Sequence, residues 1–132
     1  MGKSDDLARR AVACRHWRWA PGMRSKSAAG GAVRWLTGVN ERGYGLVAHT
    51  REYMHGPCKV AGLLPGLDDL PDLADVATLG CLLGLVRNAH RDAYMAAGND
   101  GPVWVVRDCD GYEVCRGTSE RAVLVAALEA AP

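Results

Sequence analysis

Cations and indoles alternate in one short run of this chain. Arg15-His16-Trp17-Arg18-Trp19 lies near Arg9, Arg10, Arg24, Lys26, Arg34 and Trp35 in sequence. That mixture suits single-stranded nucleic acid, because indoles stack on bases while guanidinium groups hold phosphates. A structural role competes with it. The chain has no Phe, so four Trp and four Tyr supply all its aromatic bulk, and Trp17 and Trp19 are placed to pin the end of a first helix to a core. The arginines also carry less weight than usual. Arg outnumbers Lys 13 to 3 in a chain rich in Ala and Gly, which is the signature of GC-rich coding as much as of phosphate binding.

Cysteine and histidine offer a second chemistry. Cys14-x-His16 and His55-x-x-Cys58 hold the ligand types of a tetrahedral zinc site. Their spacings match neither a knuckle nor a finger, and buried thiols with surface imidazoles account for them as well. Cys14, Cys58 and Cys81 are the thiols to consider as nucleophiles beside the four histidines, but no elbow or local Cys/His signature surrounds them. Cys109 and Cys115 flank Asp110-Gly111, a dipeptide favoured in two-residue hairpin turns. That turn sets Cys109 opposite Tyr112 and Cys115 opposite Val106, so the thiols do not face each other and a disulfide is disfavoured. Asp108, Asp110 and Glu113 resemble the start of a calcium loop, without its closing glutamate. Gly43-x-Gly45 lacks the third glycine and following helix of a phosphate loop. No catalytic residue, cofactor or metal is assigned on these grounds.

The elements that must position these groups are legible from periodicity. A short amphipathic helix is expected from Ser4, as N-cap, to about His16. Pro21-Gly22 breaks it, and residues 24–31 read as a flexible loop. Strands follow at 32–39 and 44–50, joined across residues 40–43, with a weak third strand at 58–61 and a linker over 62–71. Asp75 is the expected N-cap of a long central helix. Leu79, Leu82, Leu83, Val86, Ala89, Ala93, Tyr94 and Ala97 keep three-and-four spacing along it until Gly98 stops it. A hairpin over 103–108 and 112–116 and a last helix over about 119–130, capped by Thr118 or Ser119, complete the chain. The order α-β-β-(β)-α-β-β-α indicates one α+β domain over residues 1–132, an antiparallel sheet of four to five strands with helices on one face.

Composition bounds the function. At 48% apolar and 23% charged residues the chain is globular rather than disordered. No stretch reaches the ~18 apolar residues of a membrane span, the polar N-terminus is unlike a signal peptide, and five scattered cysteines suit reduced thiols in a cytoplasm. The net charge of +1 divides unevenly, about +7 over residues 1–60 and about −6 over 61–132, as a chain with a basic binding face does. Gly80 and Gly84, four apart on the central helix, invite close approach by a strand, a helix or a second copy of the chain. Replacing Gly80 with Leu is expected to overpack that contact by about 1–3 kcal/mol.

Two segments carry a resemblance. Ala8 to Met23, with its Trp-Arg-Trp-x-Pro-Gly-Met run, and Leu70-Pro-Asp-Leu-Ala-Asp-Val-Ala-Thr-Leu-Gly-Cys-Leu-Leu83 are similar to a group of small uncharacterised proteins encoded by phages and prophages. An Ala-Leu-rich final helix is part of the same pattern. Val76 replaces a first-turn proline of that pattern, Asn88-Ala89-His90 replaces a more acidic stretch, and residues 24–62 lie outside it. The resemblance implies an accessory protein acting in the bacterial cytoplasm, and brings no catalytic residue or ligand. The expectation is therefore a non-enzymatic protein that binds a host or phage protein, with a homodimer through Gly80 and Gly84 open. The alternative is a nucleic-acid-binding module using Arg9, Arg10, Arg15, Trp17, Arg18, Trp19, Arg34 and Trp35. A small Cys/His enzyme is a second alternative.

Overall fold

The computed structural model describes residues 3–20, 22–27, 33–39, 45–48, 60–63 and 69–132, with side chains for 6–20, 22–26 and 70–132. Its elements are α1 (Lys3–Ala13), β1 (Arg24–Ser27), β2 (Val33–Val39), β3 (Gly45–Ala48), β4 (Val60–Leu63), β5 (Asp69–Pro71), α2 (Val76–His90), β6 (Ala96–Asp100), β7 (Val103–Arg107), β8 (Glu113–Gly117) and α3 (Glu120–Glu129). The class is α+β. The strands form two antiparallel sheets, β4-β3-β2-β1-β5 and β6-β7-β8, where periodicity suggested one. The chain divides into two compact units, residues 19–78 and residues 1–18 with 79–132.

In the first of these units β1 lies inside the sheet, paired with both β2 and β5, although residues 24–31 read as a loop. Ser25 is buried there. A polar tetrapeptide has no apolar alternation to announce it, and non-local pairing decides its conformation. The segment after β5 is tied by short polar contacts. Asp75 Oδ2 accepts from the Thr78 amide at 3.0 Å and the Thr78 hydroxyl at 2.8 Å, the expected N-cap. Thr78 Oγ1 in turn accepts the Arg24 amide at 2.8 Å, and Arg24 Nε lies 3.4 Å from Asp72 Oδ2. The polar residues of the Leu70–Thr78 stretch thus cap a helix and hold a strand.

In the other unit α1 packs on α3, and α3 lies across β6, β7 and β8. Val105 and Val106 point to opposite faces of the middle strand, and both are fully buried. Ser119 Oγ caps α3 by accepting the Ala122 amide at 3.2 Å. Cys115 pairs with Val106 as expected, but the register then shifts. Arg107 pairs with Glu113 and the Asp108 amide donates to Tyr112 O at 2.9 Å, so the turn spans residues 109–111 and Tyr112 lies opposite Asp108 rather than Cys109. The Cys115 thiol turns to Val123 O at 3.4 Å. α1 begins at Lys3, so Ser4 lies inside the helix rather than capping it.

Two readings of α2 need correction. The helix ends at His90, seven residues before Ala97. Arg91 takes a positive φ of 55°, the Asp92 amide donates to Arg87 O at 2.9 Å and the Arg91 amide to Asn88 O at 3.2 Å. This is a left-handed helix stop made without glycine. Residues 96–100, expected partly in the helix, form β6 instead. The glycine stripe is also not a tight contact within the chain: among the described residues, a Cβ on Gly80 or Gly84 meets nothing within 4 Å. The close approach falls at Gly117, whose Cβ would sit 3.3 Å from the Val123 amide nitrogen at the start of α3. Among the described residues no helix is long and apolar enough to cross a membrane.

Candidate partner-binding site

Several described side chains of the arginine- and tryptophan-rich segment are engaged by the fold. Trp17 is only 7% exposed, and its neighbours serve the fold. Arg18 Nη1 donates to Trp17 O at 2.8 Å and to Arg15 O at 3.3 Å, wrapping its guanidinium around the turn after α1. Arg10 forms an ion pair with Glu129, its Nε 3.3 Å from Oε2, which holds its guanidinium protonated even above the usual arginine range. Arg9 and Arg15 are exposed and Trp19 is half-buried. Arg34 and Trp35 lie on β2, with side chains outside those described.

Counted by compact unit, the charges balance more evenly than they do along the sequence. The unit holding α1 and α3 has ten Lys/Arg against nine Asp/Glu, and residues 19–78 have six of each.

Cys14 and His16 are used by the end of α3. Cys14 Sγ donates to Leu128 O at 3.6 Å, and His16 Nε2 lies 3.3 Å from Ala131 O. His90 Nε2 adds a contact of 2.7 Å to Ala127 O. A carbonyl only accepts, so the His90 contact places the proton on Nε2; His16 Nε2 is also the acceptor of Arg15 Nε at 3.3 Å, which leaves its tautomer open. Orphan carbonyls at a helix C-terminus need such donors, and Cys14 and His90 supply them. His55 and Cys58 lie outside the described residues; among the described ones, no cluster of His, Cys, Asp or Glu is arranged to hold a metal ion.

A different part of the unit is built to present side chains. The turn after α2, residues 91–95, and the β7–β8 turn, residues 108–112, are clamped together by Asp92. Its Oδ2 accepts the Cys109 amide at 2.8 Å and its Oδ1 the Tyr94 amide at 3.0 Å. The Cys109 amide is the main reason that this carboxyl sits below the usual carboxylate range. Asp108 organises the second turn: Oδ1 accepts the amides of Asp110 at 3.0 Å and Tyr112 at 2.9 Å. Arg87 braces the first turn from the helix, its Nε donating to Met95 O at 2.7 Å.

On this frame Tyr94 is 81% exposed and Tyr112 is 72% exposed. Comparison with protein-family models, with curated proteins and with solved structures returns no match. The site therefore stands on its geometry: two large aromatic side chains held out on turns whose backbones are already hydrogen-bonded.

Sequence reasoning missed both tyrosines. Tyr94 fits the apolar stripe of a longer helix, and Tyr112 reads as a strand residue. The available signal was turn chemistry, Asp92-x-Tyr94 and Asp108-x-Asp110, in which a carboxylate accepts the amide two residues on. The same frame quiets Cys109. It is exposed, but desolvation and then the carboxylates of Asp110, Asp92 and Asp108 push its thiol up, which disfavours the nucleophilic thiolate.

Proposed function

We propose that this chain is a non-enzymatic accessory protein, of phage or prophage origin, that binds a host or phage protein in the bacterial cytoplasm. The phage assignment rests on the two resembling segments, and the binding assignment on one observation: the exposed pair Tyr94 and Tyr112 on turns clamped by Asp92 and Asp108. Tyrosine buries much area for little lost rotamer entropy, which is why it anchors protein interfaces. A turn that is ordered beforehand spares the cost of ordering it on contact. The buried Trp17 and the paired Arg10 remove two residues from the nucleic-acid reading, and near-neutral units supply little of the electrostatic attraction on which such binding depends.

The test is photo-cross-linking in host cells. A benzoylphenylalanine at Tyr94 or Tyr112 is expected to yield discrete protein adducts, while the same group at Arg9 or Arg15 yields none. Adducts only from Arg9 and Arg15 would contradict the assignment. The nucleic-acid reading has its own arm: a steep, salt-sensitive affinity for oligonucleotides that falls on substituting Arg9, Arg15 and Arg18 would replace the protein partner.

A further inference from the structure

Beside the first turn, three open clefts of about 300, 470 and 550 Å³ adjoin along the C-terminal half of α2, and Asn88 lines all of them. From this groove we infer that the chain seats an acidic peptide segment of its partner, gripped by Arg91 and Asn88. The inference rests on the protein-binding reading and specifies the chemistry of the partner.

Arg91 carries the argument. It occupies a left-handed backbone position at φ 55°, where glycine is the ordinary choice and an arginine is strained. Its guanidinium nevertheless does nothing for the fold: among the described residues it makes no hydrogen bond or ion pair, and neither does the Asn88 amide. Both are exposed, and Arg91 lines two of the three clefts. A strained helix-stop residue whose side chain has no structural duty and faces a groove is the pattern of a functional position.

The rest of the groove selects the ligand. Leu85 and Ala89 give it an apolar stretch, and Arg18 stands at the same end, fixed by its carbonyl contacts. A guanidinium offers a carboxylate two parallel N–H donors. Asn88 has a donor and an acceptor, the complement of a peptide unit. Asp92 is the acidic lining residue, and its oxygens are occupied by amides. Stacking of bases needs an exposed aromatic face in the groove; no Trp or Tyr lines these clefts, and the imidazoles that do, His16 and His90, are half-buried with Nε2 against the carbonyls of Ala131 and Ala127. Carboxylates beside aliphatic side chains fit the Arg91, Leu85 and Ala89 of this lining, and oligothymidylate tests the competing fit.

The experiment is an amide chemical-shift titration of the full ¹⁵N-labelled chain with a blocked peptide alternating Glu and Leu. Its Gln–Leu counterpart and oligothymidylate serve as controls. Saturable shifts at residues 85–92 are expected with the Glu peptide alone, weakening as salt rises. Arg91→Gly is expected to weaken the Glu peptide about tenfold or more, as loss of a bidentate charged contact does, while raising Tm by a few degrees through relief of the backbone strain. A structural arginine would not show that opposition. Equal shifts from the Gln peptide, tighter binding of oligothymidylate, unchanged affinity in Arg91→Gly or a lowered Tm would each overturn the inference. If the groove takes the Glu peptide while cross-linking at Tyr94 and Tyr112 fails, the reading above fails and the groove stands. If cross-linking succeeds and the groove ignores the peptide, only the groove is lost.

Discussion

The Arg/Trp segment and the paired turns contain similar side chains put to opposite uses. In the first, an aromatic points inward and charges bend back onto the chain: Trp17 is buried, Arg18 binds two carbonyls and Arg10 pairs with Glu129. In the second, the polar groups satisfy the backbone and the aromatics are left outside, Tyr94 and Tyr112 resting on turns held by Asp92 and Asp108. A cluster of aromatics and charges announces neither binding nor core. What decides is which groups the backbone recruits.

The comparison breaks most readily at Trp17. Trp17→Ala is expected to cost about 3–5 kcal/mol, the range for emptying a buried indole site; chemical denaturation showing a loss under about 1 kcal/mol would return the indole to the surface. Glycines sharpen the contrast next. Gly117→Val is expected to cost about 1–3 kcal/mol by overpacking the start of α3, whereas Gly80→Ala is expected to stabilise by about 0.5–1 kcal/mol because among the described residues a Cβ there meets nothing within 4 Å. A destabilised Gly80→Ala monomer would reinstate a tight contact at that stripe. Smaller still, Tyr94→Ala and Tyr112→Ala should each stay within about 0.5 kcal/mol of the parent, as surface substitutions do.

The last effect is local. The Asp92 carboxyl titrates lower in the folded protein than in the unfolded chain, whose usual value is about 3.9, so its contribution is fully present above that value and is lost as pH falls through the lowered folded one. The Cys109 and Tyr94 amide shifts should therefore move together on acidification, with a midpoint below the unfolded value. A midpoint at or above it would show that the clamp does not hold in solution.

Much of the architecture is legible in the residues. Asp75 as a cap, Ser119 before α3, the Val106–Cys115 pairing and the α+β class all follow from local chemistry, whereas the turn beyond that pair is one residue longer than Asp110-Gly111 alone. The early end of α2 does not, because Ala93 and Ala97 continue a helical spacing that such small residues cannot discriminate, and the stop uses Arg91 where glycine is the usual signal. β1 is invisible for the reason that its partners are distant in sequence. The candidate site was hidden by the same error at α2: a tyrosine assigned to a buried helix face is not sought on a turn. Within Ala8–Met23 and Leu70–Leu83, Met23, Leu70, Leu73 and Leu82 are buried and Asp72, Asp75 and Thr78 make capping or bracing contacts, so these residues serve the scaffold.

The central claim is that the paired turns, and not the Arg/Trp segment, face the partner. Quantitative co-purification from host cells compares the parent with two variants, Tyr94→Ser/Tyr112→Ser and Arg9→Ser/Arg15→Ser, each first shown to be folded. The account predicts that the tyrosine variant loses the co-purifying protein by about tenfold or more, the scale of removing interface anchors, while the arginine variant retains it. Retention by the tyrosine variant together with loss in the arginine variant would contradict it.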